Sequence, residues 1–448
     1  MSTILERYLA RTTQSKQLYE RSCGVVPGGI HHTFRYYRPY PTYMASGGGA
    51  RMRDVDGNEY VDLWMAHYAA ILGHAPARFL EEMQEVVAGG THYGIPSEHE
   101  VRFAELLVEV LPGVEQVRFG VSGTEATMYA VRLARAWTGR QTILKAAGGW
   151  HGANTDLSVA VSPPYDEPES AGLPAGPAGT AVRAVPFNDV EGTRRVIDEV
   201  GDDLAGIIVE PVQGAAFIPG DRDYLLFLRE QTAARGAVLI FDEVICGFRL
   251  ALGGAREHYD LNPDLSTYGK VAGGGFPIGF VAGREDILAL GSLAAPGGKS
   301  DRVLMGGGTY SCNPLTMIGG RLMVEYLRDH RDEVYPYLDN LGGRARVGLR
   351  RAFAQAGLAA EVYGVGSLAA PTVLREESAT PIRNVVDLTD AGHTEANRLL
   401  HLALLNEGVH SMKIKAAFST AHTETDVDAV VTAAARAAAA VAEEVGIS

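Results

Sequence analysis

Short apolar runs separated by helical stretches dominate the chain from about residue 65 onward. Because strands buried on both faces are apolar at nearly every position, such continuous runs are typical of a parallel sheet covered by helices. The alternation predicts an α/β domain whose ligands lie at the carboxyl ends of the strands. The predicted strands cover residues 116–121, 142–146, 206–212, 237–244 and 279–282.

The two ends of the chain show different patterns. Residues 3–22 predict an amphipathic helix, and residues 50–62 alternate around an Asp-Gly turn, which is typical of a β-hairpin. Helices and strands resume near residue 323, and a helix over 425–445 follows a capping-box pattern. We therefore expect three segments: an N-terminal segment of residues 1–64 that contributes to a small domain, a large domain of residues 65–322, and a C-terminal small domain of residues 323–448.

The charge balance limits the partners of the protein. Its 448 residues include 40 Lys and Arg against 54 Asp and Glu, which gives a net charge of −14. Unassisted binding to nucleic acid or to an anionic membrane requires a basic face, so we expect neither partner.

The sparse cysteines indicate a reducing compartment. Three widely spaced cysteines exclude a disulfide framework, and neither they nor the histidines have a spacing that predicts a metal site. No apolar run is long enough to span a membrane, and Glu6, Arg7 and Arg11 interrupt any secretory signal. We expect a cytoplasmic protein without a metal.

A Ser-Gly-Thr turn follows the first predicted strand of the large domain. Ser122, Gly123 and Thr124 stand where that strand ends and an amphipathic helix begins. The N–H groups of a helix start, together with two hydroxyls, are suited to binding a phosphate. A plain helix cap without a ligand explains the same residues, because Ser and Thr are preferred caps.

Two further residues carry potential chemistry near the ends of later strands. Asp242 is a carboxylate that needs a partner, which could be a protonated ring nitrogen, a metal, a helix N-terminus or a basic side chain. Lys270 lies among glycines and apolar residues, where a desolvated amine becomes a nucleophile able to form a Schiff base, although most lysines are solvated surface residues. A phosphate cradle, an acid and such a lysine are together what pyridoxal 5′-phosphate (PLP) requires.

Several motifs stand in the order known from one enzyme family. They include Asp54-Val55-Asp56-Gly57, Ser122-Gly123-Thr124-Glu125-Ala126, Trp150-His151-Gly152, Glu210-Pro211-Val212-Gln213-Gly214, Thr267-Tyr268-Gly269-Lys270 and Gly308-Thr309-Tyr310-Ser311. Over nearly the whole chain they resemble the class III (subgroup II) aminotransferases of PLP fold type I, in particular the glutamate-1-semialdehyde 2,1-aminomutase branch. The resemblance implies an α/β fold like that of aspartate aminotransferase, with a mostly parallel sheet in the large domain and a smaller α/β domain built from both termini.

The same resemblance implies the cofactor and the residues that hold it. PLP and its pyridoxamine form (PMP) would be the cofactors. Lys270 would form the internal aldimine, and Asp242 would pair with the pyridine nitrogen. The phosphate would be held by the three residues of the Ser-Gly-Thr turn. His151 and Glu210 belong to the matched cofactor-binding motifs.

Further roles come from the resemblance alone. Trp150 and Val244 would cover the two faces of the ring. Thr309 would reach the phosphate of the neighbouring subunit, which implies a homodimer with shared active sites. Arg35 and His67, together with Trp150, stand at positions that face the substrate. Arg35 would bind a carboxylate through its planar guanidinium, or it would pack against the aromatic residues beside it.

Some positions depart from the aminomutase pattern. Val121 replaces the usual Asn, residues 147–153 lack the usual acidic residue, and His67 replaces a Trp. Because these positions face the substrate, we expect a PLP-dependent aminotransferase that passes an amino group from a small-molecule donor to a carbonyl acceptor, through Lys270 and a pyridoxamine phosphate intermediate.

Two alternatives stay open. One is glutamate-1-semialdehyde 2,1-aminomutase, in which the amino transfer is intramolecular and the proline-rich residues 162–180 would gate the site. The other is a catalytically silent PLP-fold protein, which the intact Lys270 and Asp242 disfavour.

Overall fold

The computed structural model describes residues 3–173, 181–294 and 297–447. The strands in chain order are β1 (Met44–Gly48), β2 (Arg51–Asp54), β3 (Glu59–Asp62), β4 (Gln116–Gly120), β5 (Thr142–Ala146), β6 (Val182–Val185), β7 (Leu204–Val209), β8 (Val212–Gln213), β9 (Ile218–Pro219), β10 (Val238–Asp242), β11 (Leu265–Gly269), β12 (Gly279–Gly283), β13 (Ala360–Tyr363), β14 (Leu368–Val373), β15 (Val409–His410) and β16 (Ala416–Ala417).

Helices account for most of the remaining regular structure. In chain order they are α1 (Ile4–Arg11), α2 (Thr13–Cys23), α3 (Ala77–Gly89), α4 (Glu98–Val110), α5 (Gly123–Thr138), α6 (Val190–Val200), α7 (Arg222–Arg235), α8 (Gly254–Tyr259), α9 (Glu285–Leu288), α10 (Pro314–Asp329), α11 (Arg331–Gln355), α12 (Val385–Ala391), α13 (Thr394–Asn406) and α14 (Glu424–Val445). None of the described helices combines the length and the apolar composition that a membrane span requires.

The chain divides into two compact units. The first comprises Met1–Ala77, Tyr337–Pro381 and Ala391–Ser448, and the second comprises Arg78–Pro336 and Ile382–Asp390. The boundaries predicted from the sequence fall at 64/65 and 322/323, and the domain assignment itself stays a prediction.

The second unit is built on a seven-stranded sheet. Its strand order is β4-β12-β11-β10-β7-β5-β6. Strand β12 is antiparallel to both neighbours, whereas β11, β10, β7, β5 and β6 pair in parallel. Helix α5 covers one face, where its Leu133 and Ala134 pack with Ile143, Ile208 and Ile240 of the sheet. This largely parallel sheet in a mixed α/β chain confirms the predicted fold class.

All five predicted strands are present, with small differences at their ends. The largest difference concerns residues 206–212, since β7 begins earlier, at the buried Leu204, and ends at Val209. Pro211 lacks a backbone N–H group and cannot continue the ladder.

The first unit contains two small sheets. The first has the order β1-β2-β3-β15, and the second has the order β13-β14-β16. Strands β2 and β3 pair antiparallel, which confirms the predicted hairpin of residues 50–62. Helix α14 begins with the predicted capping box, in which the Thr423 and Asp426 side chains accept each other's backbone N–H groups.

The single helix predicted over residues 3–22 is wrong. Two helices, α1 and α2, are separated at Thr12, whose φ of −127° is not helical. The Thr12 hydroxyl donates to the Tyr8 carbonyl at 2.7 Å and lies 3.1 Å from the Tyr40 hydroxyl. Because this side chain offers the backbone an alternative partner, the helix is interrupted where periodicity alone continues it.

Candidate active site

The predicted site residues of the second unit follow the carboxyl ends of its sheet strands. Because β4 and the parallel strands run in one direction, the segments after them meet at the same edge of the sheet. The segments after the strands hold Ser122 after β4, Trp150 and His151 after β5, Glu210 after β7, and Lys270 after β11, while Asp242 is the last residue of β10.

Asp242 is a buried carboxylate with three donors. Its side chain accepts hydrogen bonds from the Val244 N–H at 3.1 Å and the Thr267 hydroxyl at 3.1 Å, both at Oδ1. Its Oδ2 atom lies 2.7 Å from Nδ1 of His151. These contacts give the buried carboxylate the partners it needs, since a buried charge is costly without them.

His151 is buried beside this carboxylate. Its backbone carbonyl accepts the Thr127 hydroxyl at 2.6 Å, which anchors the residue to α5. The Nε2 atom is buried and has no hydrogen-bond partner among the described residues. One nitrogen therefore faces Asp242, while the other is a polar atom left open inside the site.

Glu210 is a second buried carboxyl in this region. It accepts the Trp150 N–H at 3.0 Å and the Gly214 N–H at 3.1 Å. Burial raises the pKa of Glu210; the charge of His151 opposes the shift, and that of Asp242 adds to it. The Glu210 carboxyl thus binds the backbone of two segments, one at Trp150 and one at Gly214.

Lys270 follows β11 in a left-handed conformation. Its φ of +47° is uncommon for a residue with a side chain, and such strain concentrates at functional sites. Burial lowers the pKa of the Lys270 amine, although the charges of Asp242 and Glu210 oppose the shift. An amine that burial makes less basic is more readily deprotonated, and the deprotonated amine is a nucleophile.

The N-terminus of α5 forms the predicted anion cradle. The Ser122 hydroxyl accepts the Glu125 N–H at 3.2 Å, while the N–H groups of Gly123 and Thr124 belong to the first turn and have no partner within the helix. Strand β12 passes close by, because a Cβ atom on Gly279 would lie 1.9 Å from the Ser122 carbonyl oxygen.

Val244 joins this cradle to the lysine. A Cβ atom on Gly123 would lie 3.0 Å from Val244 Cγ2, and one on Gly269 would lie 3.4 Å from Val244 Cγ1. The valine side chain therefore lies against the start of α5 and against the residue that precedes Lys270. The Trp150 side chain, by contrast, is 47% exposed.

Thr309 also belongs to the second unit and follows Gly308, where a Cβ atom would lie 3.4 Å from Val121 Cγ2. It is exposed and lines a cavity of about 560 Å³ together with Tyr93 and Arg118. Its predicted contact with a neighbouring subunit stays a prediction.

Arg35 and His67 belong to the first unit. Arg35 is exposed and lines a cavity of about 480 Å³ with His31, Tyr37 and Trp64. The His67 ring lies 4.4 Å from the Trp64 ring, between centroids. Their roles toward a substrate stay predictions.

The backbone around His67 is strained. Residues Met65–Tyr68 all have positive φ angles, between 42° and 69°, and form a left-handed turn. Asp62 holds its start by accepting the N–H groups of Trp64 and Met65, each at 2.9 Å. Although burial opposes the shift, hydrogen bonds from His410 and His74 lower the pKa of Asp62 to about 2. A carboxylate that stays charged thus stabilises an unfavourable turn.

Sequence reasoning missed two partners in this site. The Thr267 hydroxyl on Asp242 belongs to a quoted motif, but its direction depends on the parallel register of β10 and β11. Lys145 is fully buried in β5 and donates to three carbonyls of the following loop, which no local signal indicates.

The cluster fits PLP. The first turn of α5 is suited to a phosphate, Asp242 to a protonated ring nitrogen, and Lys270 to a carbonyl carbon. The buried Nε2 of His151 adds an open polar atom next to these groups. Among the described residues no cluster of three or more His, Cys, Asp or Glu side chains is placed to hold a metal ion.

The family model for class III aminotransferases matches residues 35–415, and the chain belongs to this family. PLP is therefore its cofactor, as the sequence predicts. The chain is 42% identical over 357 residues to glutamate-1-semialdehyde 2,1-aminomutase of Methanothermobacter thermautotrophicus, covering 79% of this chain and 82% of that protein. It is 38% identical over 422 residues to the enzyme of the same name in Methanopyrus kandleri, covering 93% and 95%.

A solved structure shows the same fold. The omega-transaminase of Sphaerobacter thermophilus superposes with a TM-score of 0.85 at 34% identity, covering 95% of this chain and 97% of that chain. The predicted resemblance to class III enzymes of PLP fold type I is confirmed.

The predicted reaction is wrong. We expected amino transfer between separate donor and acceptor molecules, but curated relatives covering up to 95% of the chain are named as aminomutases. The substituted positions misled the prediction because both reactions use the same cofactor-binding residues. The substitutions at Val121 and His67 therefore do not distinguish amino transfer between two molecules from amino transfer within one molecule.

Proposed function

We propose that this protein is a glutamate-1-semialdehyde 2,1-aminomutase. It moves the amino group of a small amino aldehyde from C2 to the neighbouring C1, so that one molecule is both donor and acceptor. The observation that carries the proposal is the 42% identity to an enzyme of that name, with a second such enzyme matching over 93% of the chain.

The residues of the second unit have distinct tasks in this proposal. When bound, PLP supplies an electron sink for the carbon that carries the amino group. Lys270 binds the cofactor and moves a proton at that carbon, which its lowered pKa favours. Asp242 keeps a proton on the ring nitrogen, as its dense hydrogen bonding supports.

The remaining residues position the cofactor and the substrate. The first turn of α5, residues 122–124, binds the phosphate. Val244 and Trp150 cover the two ring faces, and His151 and Glu210 hold the acid and the loop. Arg35 binds the substrate carboxylate as a bidentate partner, with His67 and Trp150 near the substrate.

The proposal includes a homodimer in the cytoplasm. Thr309 is exposed in the single chain and is free to reach the phosphate in a neighbouring subunit. The thiols of Cys23, Cys246 and Cys312 are all free, which suits a reducing compartment.

The test uses purified protein loaded with PLP or PMP. Glutamate-1-semialdehyde is added without any other amino donor or carbonyl acceptor, and its isomer, which carries the amino group on the terminal carbon, is quantified over many turnovers. We expect sustained formation of the isomer. Lys270→Ala is the matched inactive control, because it removes the amine and leaves the phosphate cradle intact.

Two outcomes would contradict the proposal. The first is product that forms only after a separate amino donor or acceptor is added, in equal amount to a co-product. The second is a protein whose cofactor absorption does not respond to glutamate-1-semialdehyde or to 4,5-diaminovalerate.

A further inference from the structure

One peptide bond in the site is held at both ends by buried ionisable side chains. The Lys145 ammonium donates to the carbonyl oxygen of Gly149 at 2.8 Å. The Glu210 carboxyl accepts the N–H of Trp150 at 3.0 Å. This carbonyl and this N–H belong to the same planar unit, so that fixing both fixes the plane.

All three N–H donors of the Lys145 ammonium bind carbonyl oxygens of this loop. Besides Gly149, its Nζ donates to the carbonyls of Leu157 at 3.0 Å and Val159 at 2.7 Å. An ammonium group has three donors, and each one is used here. The side chain is fully buried, and burial lowers the pKa of Lys145 to about 8. Burying an amine is costly unless its donors are paired, and here the pairing is with the loop carbonyls. We infer that these hydrogen bonds order the segment from residue 147 to residue 159.

The peptide is also enclosed from the side. A Cβ atom on Gly149 would lie 3.2 Å from Nε2 of His151 and 3.5 Å from Oε2 of Glu210. The His151 ring and the Glu210 carboxyl therefore both lie against this peptide. The direction of the peptide plane thus determines where Trp150 and His151 point.

We propose that Lys145 and Glu210 are positioning residues that clamp the Gly149–Trp150 peptide and thereby set Trp150 and His151 in place for the cofactor ring. The clamp acts on the cofactor site and not on any particular substrate. Its test is therefore independent of the aminomutase reaction.

The test compares four variants of the full-length protein. Lys145→Met removes the donors at similar length, Glu210→Ala removes the acceptor, and Glu210→Gln retains an acceptor oxygen. Lys16→Met is the matched control, because Lys16 is exposed on α2. The readouts are amide hydrogen exchange of peptides spanning residues 146–160 without cofactor, the PLP dissociation constant, and the circular dichroism of the bound cofactor.

We expect Lys145→Met and Glu210→Ala to raise exchange in this segment, to weaken PLP binding at least tenfold and to alter the cofactor dichroism, since each removes buried hydrogen bonds to the backbone of this loop. Glu210→Gln keeps an acceptor for only one of the two N–H groups, so it is expected to fall between the wild-type protein and Glu210→Ala. Lys16→Met is expected to change none of the three readouts.

The proposal is overturned if folded Lys145→Met matches the control in exchange and PLP affinity. It is also overturned if Glu210→Ala weakens PLP binding while exchange at residues 146–160 stays unchanged, because Glu210 would then act on the cofactor directly. Should Lys145→Met fail to fold, the two Glu210 variants decide by the same criteria: raised exchange with rescue by Gln supports the clamp, and unchanged exchange refutes it.

Discussion

Nδ1 of His151 lies 2.7 Å from Oδ2 of Asp242, and both side chains are buried. With the Val244 N–H and the Thr267 hydroxyl on its other oxygen, the carboxylate accepts three hydrogen bonds. A carboxylate has about four acceptor positions, so one is left for a further donor. A protonated ring nitrogen is a donor of that kind, which explains how a dense network and a cofactor share one side chain.

Asp242→Asn is expected to remove the charge that keeps the cofactor ring nitrogen protonated, and so to slow the reaction. The amide has nearly the same shape, but it carries no charge to keep a proton on the ring nitrogen. We expect the rate of the reaction to fall at least 100-fold, which corresponds to about 3 kcal/mol of transition-state stabilisation. The measurement is kcat of the PLP-saturated variant beside Asp198→Asn, a surface control. A variant with an unchanged rate would remove Asp242 from the chemistry.

Gly123→Ala is expected to weaken PLP binding about tenfold. The new Cβ would lie 3.0 and 3.1 Å from the two Cγ atoms of Val244, which is closer than an ordinary van der Waals contact, so the valine or the helix start would have to shift. Combining it with Val244→Ala relieves the overlap. The loss of PLP binding free energy in the double variant should therefore be smaller than the sum of the losses in the two single variants.

The matched control for this cycle is Gly89→Ala, where a Cβ atom meets no other atom within 4 Å. It is expected to leave PLP binding unchanged. Additive effects of the changes at Gly123 and Val244 would contradict the steric explanation.

Sequence reasoning succeeded where the signal is local. The apolar run before Asp242 predicts a buried strand, and the Ser-Gly-Thr turn predicts the start of a helix, each from a few neighbouring residues. Both predictions are correct, since β10 ends at Asp242 and α5 begins at Gly123. It failed at Thr12, whose hydroxyl bonds to the Tyr8 carbonyl and also contacts the Tyr40 hydroxyl, 28 positions away. Lys145 likewise gives no local signal, because its burial follows from the loop that folds back over it.

Mixed dimers can test the predicted role of Thr309. We expect Lys270→Ala and Thr309→Glu each to be inactive alone, the first without its amine and the second with a negative charge beside the phosphate. If Thr309 acts in the neighbouring subunit, a mixed dimer contains one intact site, because that site takes Lys270 from one chain and Thr309 from the other. Activity should therefore reappear when the two variants are unfolded and refolded together.

The control for this experiment is each variant refolded alone. Activity that stays absent in the mixture, with mixed dimers demonstrated by mass spectrometry, would show that Thr309 does not act across subunits.

The buried Lys145 makes stability depend on pH with a defined sign. Burial lowers its pKa from 10.5 to about 8, against the opposing charges of Glu210 and Glu169. Between these pH values the unfolded chain binds more protons than the folded one, so the free energy of unfolding contributed by Lys145 rises with pH. The full rise is about 3 kcal/mol, since each pKa unit corresponds to about 1.4 kcal/mol.

Lys145→Met removes this titration. The other titratable groups are present in both proteins, so the difference in unfolding free energy between wild type and variant isolates Lys145. We expect the difference to grow in favour of the wild type from pH 8 to pH 10, measured by urea denaturation without cofactor. The same subtraction with Lys16→Met should be flat, because that side chain is exposed. A difference that is flat for Lys145→Met, or that shrinks as the pH rises, would mean that the folded state does not depress the pKa of this lysine.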